Sequence, residues 1–170
     1  MQEIILTHGY TCSLKSTISE ALAARTGLQR IETKQFGKIK SERQKMLRYE
    51  GLAKAAGNVL EAGQSVILDG TFPTFECRNR IYRLAEKHGV SRVTVLHCVC
   101  ADDEEVLRRL FARKKNEGVC YEEWLNRAHE GLEADMERFG GLRVVRIDTS
   151  GSVALPYLRE TGAFYADAAA

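Results

Sequence analysis

The chain has 170 residues, 44% of them hydrophobic, enough to bury a sizeable core in one compact domain. Charged residues make up 28% and only two residues are proline, a composition that excludes disordered and fibrous classes. The 25 basic and 23 acidic side chains leave a formal net charge of +2, too balanced for wholesale nucleic-acid binding, although a local basic groove stays open.

In chain order, Ile4–Thr7 reads as a buried strand, and Ile18, Ala21 and Leu22 mark the apolar face of a helix that stops at Gly27. Leu28–Thr33 reads as a short second strand. From Ser41 to Ala62, the residues Met46, Tyr49, Leu52, Ala56, Val59 and Leu60 recur at helical spacing, with Gly63 beyond the end. SVILD, residues 65–69, is an apolar strand, and Cys77, Ile81, Leu84 and Ala85 mark a helix closing at Gly89. A long strand, Val93–Val99, precedes a helix carrying Val106, Leu107, Leu110 and Phe111, then the polar stretch KKNEG. Tyr121, Leu125, Ala128 and Leu132 predict another helix, Arg143–Ile147 a last strand, and Leu155–Arg159 a short C-terminal helix. The tail ADAAA reads as frayed.

Strands that alternate with helices and read as near-continuous apolar runs imply an α/β fold with a parallel sheet covered on both faces. Right-handed crossovers then place ligand sites at the carboxyl ends of the strands. Five cysteines, at 12, 77, 98, 100 and 120, form no regular framework and fit reduced thiols in a cytoplasmic protein. Cys98 and Cys100 are expected on one strand face, as core packing and not as metal ligands with the neighbouring His97. No basic leader opens the chain and no run approaches the roughly 20 apolar residues of a membrane span, so no membrane association is expected.

The stretch THGYTCSLKSTIS, residues 7–19, nearly spells the phosphate-loop pattern G-x-x-x-x-G-K-[ST] from Gly9 to Ser16, with Leu14 in place of the second glycine. It lies between the first strand and the first helix, where backbone N–H groups and a helix N-terminus together hold an anion. Residues Gly9, Tyr10, Thr11, Cys12, Ser13 and Leu14 would wrap the nucleotide's phosphates. Lys15 would reach the terminal phosphates, Ser16 would offer a hydroxyl to Mg²⁺, and Thr17 extends the helix start. A positive φ at Leu14 would cost on the order of 1–2 kcal/mol, and the expected outcome is a shifted loop with weakened affinity. Asp69 ends the strand SVILD, next to the loop in a doubly wound sheet, where a carboxylate serves the Mg²⁺ shell or orients an attacking hydroxyl. An ordinary surface lysine at 15 and a turn-forming Asp-Gly at 69–70 are the competing readings.

With these residues in place, the chain resembles the small P-loop kinases of the zeta-toxin-like group, related to the kinase domain of polynucleotide kinases. The resemblance runs through GYTCSLKST, AAGNVLEAGQSVILDGTF, RNRIYRLAEKHGV and RRLFARK to RVVRIDTSG. It implies a single three-layer α/β/α domain over residues 1–170, with a five-stranded parallel sheet in the order 2-3-1-4-5. It also implies ATP with Mg²⁺, and a small helical lid at about residues 113–125. Arg109 and Arg113, one helical turn apart, match lid arginines that face the transferring phosphate; without the family they read as a solvated helix edge. The family's acceptor-activating aspartate falls at Lys34, in RIETKQFGK, leaving Glu32 or Asp69 to substitute. Lys34, Lys38 and Lys40 point to an acidic or phosphorylated acceptor, or to nothing more than a solvated basic loop. IDTSGS, residues 147–152, resembles the adenine-side loop, and the absence of N-K-x-D favours ATP over GTP.

The expected activity is transfer of the γ-phosphate of ATP to a hydroxyl of a small-molecule or phosphorylated acceptor. Lys15, Asp69, Arg113 and Arg109 would carry it, with Ser16 and Asp69 at the metal. A nucleotide-binding module with little turnover is one alternative. A 5′-hydroxyl polynucleotide kinase is another, with nucleic acid the less favoured partner.

Overall fold

The structure is a computed structural model, and it describes residues 2–37, 41–112 and 132–151. The chain alternates through β1 (Glu3–Gly9), α1 (Lys15–Thr26), β2 (Gln29–Glu32), a single 3₁₀ turn (Thr33–Phe36), α2 (Glu42–Glu61), β3 (Val66–Asp69) and α3 (Phe75–Lys87). It continues through β4 (Arg92–Val99), α4 (Asp103–Ala112), α5 (Leu132–Arg138) and β5 (Leu142–Asp148). All five strands are parallel, in the order β2-β3-β1-β4-β5. This is the P-loop kinase-like fold, and β1 sits at its centre.

Successive side chains of a strand point to opposite faces, and here both faces are covered. Ile4 and Leu6 of β1, with Val66 and Leu68 of β3, pack against Leu52, Ala56 and Leu60 of α2 and Ile81 and Ala85 of α3. Ile5 and Ile67, on the other face, pack against Ile18 and Leu22 of α1, together with Leu96, Cys98 and Ile147. Complete burial of each such side chain stabilises by about 1.5–3 kcal/mol before chain entropy is counted. Ser41 caps α2 by accepting from the Gln44 N–H at 3.2 Å, and Thr74 caps α3 by accepting from Cys77 N–H at 3.4 Å. These caps fix where each helix begins, and so how the strand ends meet.

Cys98 is buried, and burial pushes its thiol up to about 12. Cys100 lies beyond the end of β4 and not on a shared strand face, because the strand closes at Val99. Cys12, Cys77, Cys98 and Cys100 are free thiols, and Cys120 falls outside the described residues. The expected lid at 113–125 and the C-terminal helix at 155–159 also lie outside them, as does the Tyr121–Leu132 stripe except Leu132, which opens α5. No helix among the described residues is long and apolar enough to cross a membrane.

Candidate active site

The carboxyl ends of β1, β2 and β3 converge on one cleft of about 250 Å³. One side is formed by Thr11, Cys12, Lys15 and Ser16, and the other by Glu32, Thr33, Lys34, Asp69, Gly70 and Thr71. Lys15, Ser16 and Asp69, expected together from sequence, therefore line a single space.

The loop leaves β1 at Gly9, whose φ is +135°. A Cβ there would lie 2.1 Å from the Cys98 carbonyl oxygen of the neighbouring strand, so only glycine fits. Leu14 forms the N-cap of α1 with φ 57° and ψ 23°, the left-handed conformation that the sequence made conditional. Its carbonyl accepts from Ile18 N–H at 3.0 Å, so the helix starts normally despite the leucine. Cys12 is also left-handed, at φ 70°, which the sequence reading missed. The loop thus holds two non-glycine residues in a region that disfavours Cβ atoms.

Side chains close the loop on itself. Ser13 Oγ donates to the Tyr10 carbonyl at 2.8 Å, and Lys15 Nζ donates to the same oxygen. Tyr10, Cys12 and Ser13 are buried, whereas Leu14 and Lys15 are half-buried and Ser16 and Thr17 are exposed. Thr17 lies in the first turn of α1, exposed, and is absent from the cleft wall.

On the opposite side, parallel pairing sets Glu32 beside Asp69. Two carboxylates side by side repel, and Arg30 lies between them. Its Nη2 donates to Asp69 Oδ2 and its Nη1 to Glu32 Oε1, both at 2.5 Å. Its Nε donates to Ser19 Oγ at 2.8 Å, fastening the guanidinium to α1. Asp69 is 5% exposed, and its Oδ1 accepts from Thr7 Oγ1 at 3.2 Å. Lys34 Nζ pairs with Glu32 Oε2, so its charge is spent on a carboxylate of its own chain. Lys38 and Lys40 lie outside the described residues. Arg30 had one local signal, since residues two apart on a strand share a face.

The segment after Asp69 is pinned at nearly every backbone group. Thr7 Oγ1 donates to Gly70 O at 3.1 Å and accepts from Gly70 N–H at 3.1 Å. His8 Nδ1 lies 2.9 Å from Thr71 O. Phe72, left-handed at φ 47°, donates its N–H to Tyr49 Oη at 3.1 Å and accepts at its carbonyl from Arg78 Nη1 at 3.1 Å. Arg78, fully buried, is in turn paired with Asp135 of α5 at 2.5 Å, and Tyr82 Oη donates to that carboxylate at 2.8 Å. Burial, then Asp135, pushes the Tyr82 hydroxyl well above its ordinary range, so it remains a donor.

Arg109 sits behind the loop and does not line the cleft. Its Nη1 donates to Cys12 O at 3.2 Å, and its Nη2 to Thr149 O at 2.5 Å, just after β5. Its Nε donates to Glu105 at 2.6 Å. Hydrogen bonds from Arg108, then Arg109, hold the Glu105 carboxyl down to about 2. Arg109 therefore ties the phosphate-loop side to the start of IDTSGS, of which Ser152 lies outside the described residues. Arg113 lies outside them as well.

Hard oxygen donors suit Mg²⁺, which keeps several waters and leans on phosphates instead of a protein cage. The Ser16 hydroxyl and Asp69 carboxylate on one cleft fit that pattern. Among the described residues no cluster of three or more His, Cys, Asp or Glu side chains forms a cage.

A family model described as "AAA domain" matches residues 4–135. A search of curated proteins gives no match. Among solved structures, the chain is similar to an unliganded sugar kinase from Janibacter sp., at 21% identity, 98% of this chain, 95% of that chain and TM-score 0.66. An APS kinase, CysC, from Mycobacterium tuberculosis, in complex with AMPPNP and APS, is similar at 13% identity, 96% and 97% coverage and TM-score 0.70. A gluconokinase from Sinorhizobium meliloti is similar at 16% identity, 95% and 96% coverage and TM-score 0.58. At these identities the likeness shows the fold.

Proposed function

The chain belongs to the AAA domain family, and on that premise we propose that it is an ATP-dependent kinase that phosphorylates a hydroxyl group. The carrying observation is the joint placement of Lys15, Ser16 and Asp69 on one cleft at the head of α1. The kinase folds of the similar structures, one of them holding AMPPNP, support the same reading.

Phosphoryl transfer asks little covalent chemistry of the protein, which positions the reactants and offsets charge. The loop amides and the positive end of α1 hold the phosphates. Lys15 gives up its internal bond to Tyr10 O and neutralises the terminal phosphate. Ser16 and Asp69 would hold Mg²⁺, which would supply further neutralisation of phosphate charge. Arg113 is proposed to act on the moving phosphoryl group. Arg109, bonded behind the loop, is proposed to keep the loop in shape instead of touching phosphate.

The test is transfer of label from γ-labelled ATP to hydroxyl compounds by the wild type and Lys15→Ala. Loss of one such charge contact is expected to lower turnover by on the order of 10²–10³-fold with the fold intact. ATP binding without any turnover would assign the chain to a nucleotide-binding module. Normal turnover in Lys15→Ala would refute the mechanism.

A further inference from the structure

Building on the kinase reading, we infer that Arg30 is a positioning residue for the metal site. Its one guanidinium, seated behind the cleft wall, fixes the Asp69 carboxylate relative to the turn of α1 that carries Ser16. Those two residues come from different elements, the end of β3 and the head of α1. Their separation must be set by a group that reaches both, and Arg30, on β2, does so.

Arg30 Nη2 donates to Asp69 Oδ2 at 2.5 Å, and Nε donates to Ser19 Oγ at 2.8 Å. An arginine nitrogen only donates, so the Ser19 hydroxyl accepts there and sends its own proton elsewhere. That proton goes to the Ser16 carbonyl, at 3.0 Å. The path Asp69–Arg30–Ser19–Ser16 is therefore continuous, with each donor direction fixed. Ser19 is fully buried, Asp69 is 5% exposed and the Arg30 side chain 15%, so water competes little for these links.

Charge explains why a guanidinium stands here. The strand register sets Glu32 beside Asp69, and neighbouring strands lie about 4.8 Å apart, where two carboxylates repel. Arg30 Nη1 donates to Glu32 Oε1 at 2.5 Å while Nη2 holds Asp69, which replaces the repulsion with a bridge. On the other Asp69 oxygen, the buried Thr7 hydroxyl contacts Oδ1 at 3.2 Å. A carboxylate offers about four lone-pair sites, so these two partners stop its rotation and still leave acceptor capacity for the cleft. Arg30, Ser19 and Thr7 do not line the cleft, so they act on a ligand only through Asp69 and Ser16.

The test is calorimetry of AMPPNP binding, with Mg²⁺ and with EDTA, for the wild type, Arg30→Lys, Ser19→Ala and the double variant. The ratio of the two affinities measures the coupling between metal and nucleotide, and it needs no acceptor. Arg30→Lys keeps the charge but loses the fork, and Ser19→Ala changes no charge, so both report geometry. In each single variant the ratio is expected to fall by about 3- to 10-fold, as for loss of one or two hydrogen bonds, with the affinity in EDTA unchanged. Because both residues act on one path, the double variant is expected to lose less than the product of the single losses. Equal weakening with Mg²⁺ and with EDTA, the mark of a merely loosened fold, overturns the inference. So does a ratio unchanged in either single variant, or a wild type whose affinity Mg²⁺ does not raise. Losses that multiply in the double variant overturn the shared path. A wild type that binds AMPPNP in neither condition overturns the kinase reading, and this inference with it.

Discussion

The two sides of the cleft are held in shape by different means. The phosphate-loop side consists of backbone with two left-handed non-glycine residues, Cys12 and Leu14, closed by short-range bonds from Ser13 and Lys15 to Tyr10. A long-range tie reaches it from Arg109 to Cys12 O. The opposite wall, residues 70–72, is fixed by buried side chains from β1, α2 and α3, and through Arg78 by α5. Both sides hold left-handed non-glycine residues, Phe72 in the second, but the first is closed chiefly by bonds within the loop. The second is a rigid surface whose form depends on residues far along the chain.

If that contrast holds, damage to the buried network should cost far more than damage to the loop. Asp135→Ala leaves the Arg78 guanidinium buried and unpaired, at a cost of about 3–5 kcal/mol. That is expected to lower the melting temperature by roughly 6–20 °C for a chain of this size. A change of less than about 1 kcal/mol would show that the wall is held otherwise.

Arg109→Ala tests the long-range tie. It removes the guanidinium donors to the Cys12 and Thr149 carbonyls, a loss of about 1–3 kcal/mol each. Affinity for a non-hydrolysable ATP analogue is expected to fall, because the loop loses its backing. Arg113→Ala should instead lower kcat and spare that affinity, as for a group acting in the transition state. The reverse pattern, with kcat alone reduced in Arg109→Ala, would move Arg109 to the phosphate.

Leu14→Gly carries the smallest effect and refines the picture of the loop. The structure without ligand already has Leu14 at φ 57°, so its penalty of about 1–2 kcal/mol falls on the folded chain. Greater unfolded-state entropy offsets about 0.4–1 kcal/mol of the gain. The expected result is a melting temperature raised by a few degrees at most, with ATP affinity nearly unchanged. Calorimetry showing roughly 5- to 30-fold tighter binding would mean that the strain arises only when nucleotide binds.

The loop side was legible in the sequence because its signal is contiguous: a strand, a glycine and Lys15-Ser16 at the head of a helix. The strand order was legible only through family resemblance, since apolar runs do not encode which strands pair. Asp69 was visible at a strand end, but its partner Arg30 was not, because strand register brings them together from 39 residues apart. Arg78 carries no sequence signal of burial, and only the fold, by setting α5 against α3, makes it the core of an ion pair. Arg109 was found for its position and read as a phosphate contact, whereas the bond to Cys12 O depends on the close approach of α4 to the loop.

The central claim is that this cleft binds Mg-ATP through Lys15. The most direct measurement is thermal unfolding of the wild type and Lys15→Ala across a Mg-ATP titration. At 100 times Kd the wild type should gain about 2.7 kcal/mol and melt several degrees higher, while Lys15→Ala should need a far higher concentration for the same shift. Melting curves that do not respond to millimolar Mg-ATP in either protein would contradict the account.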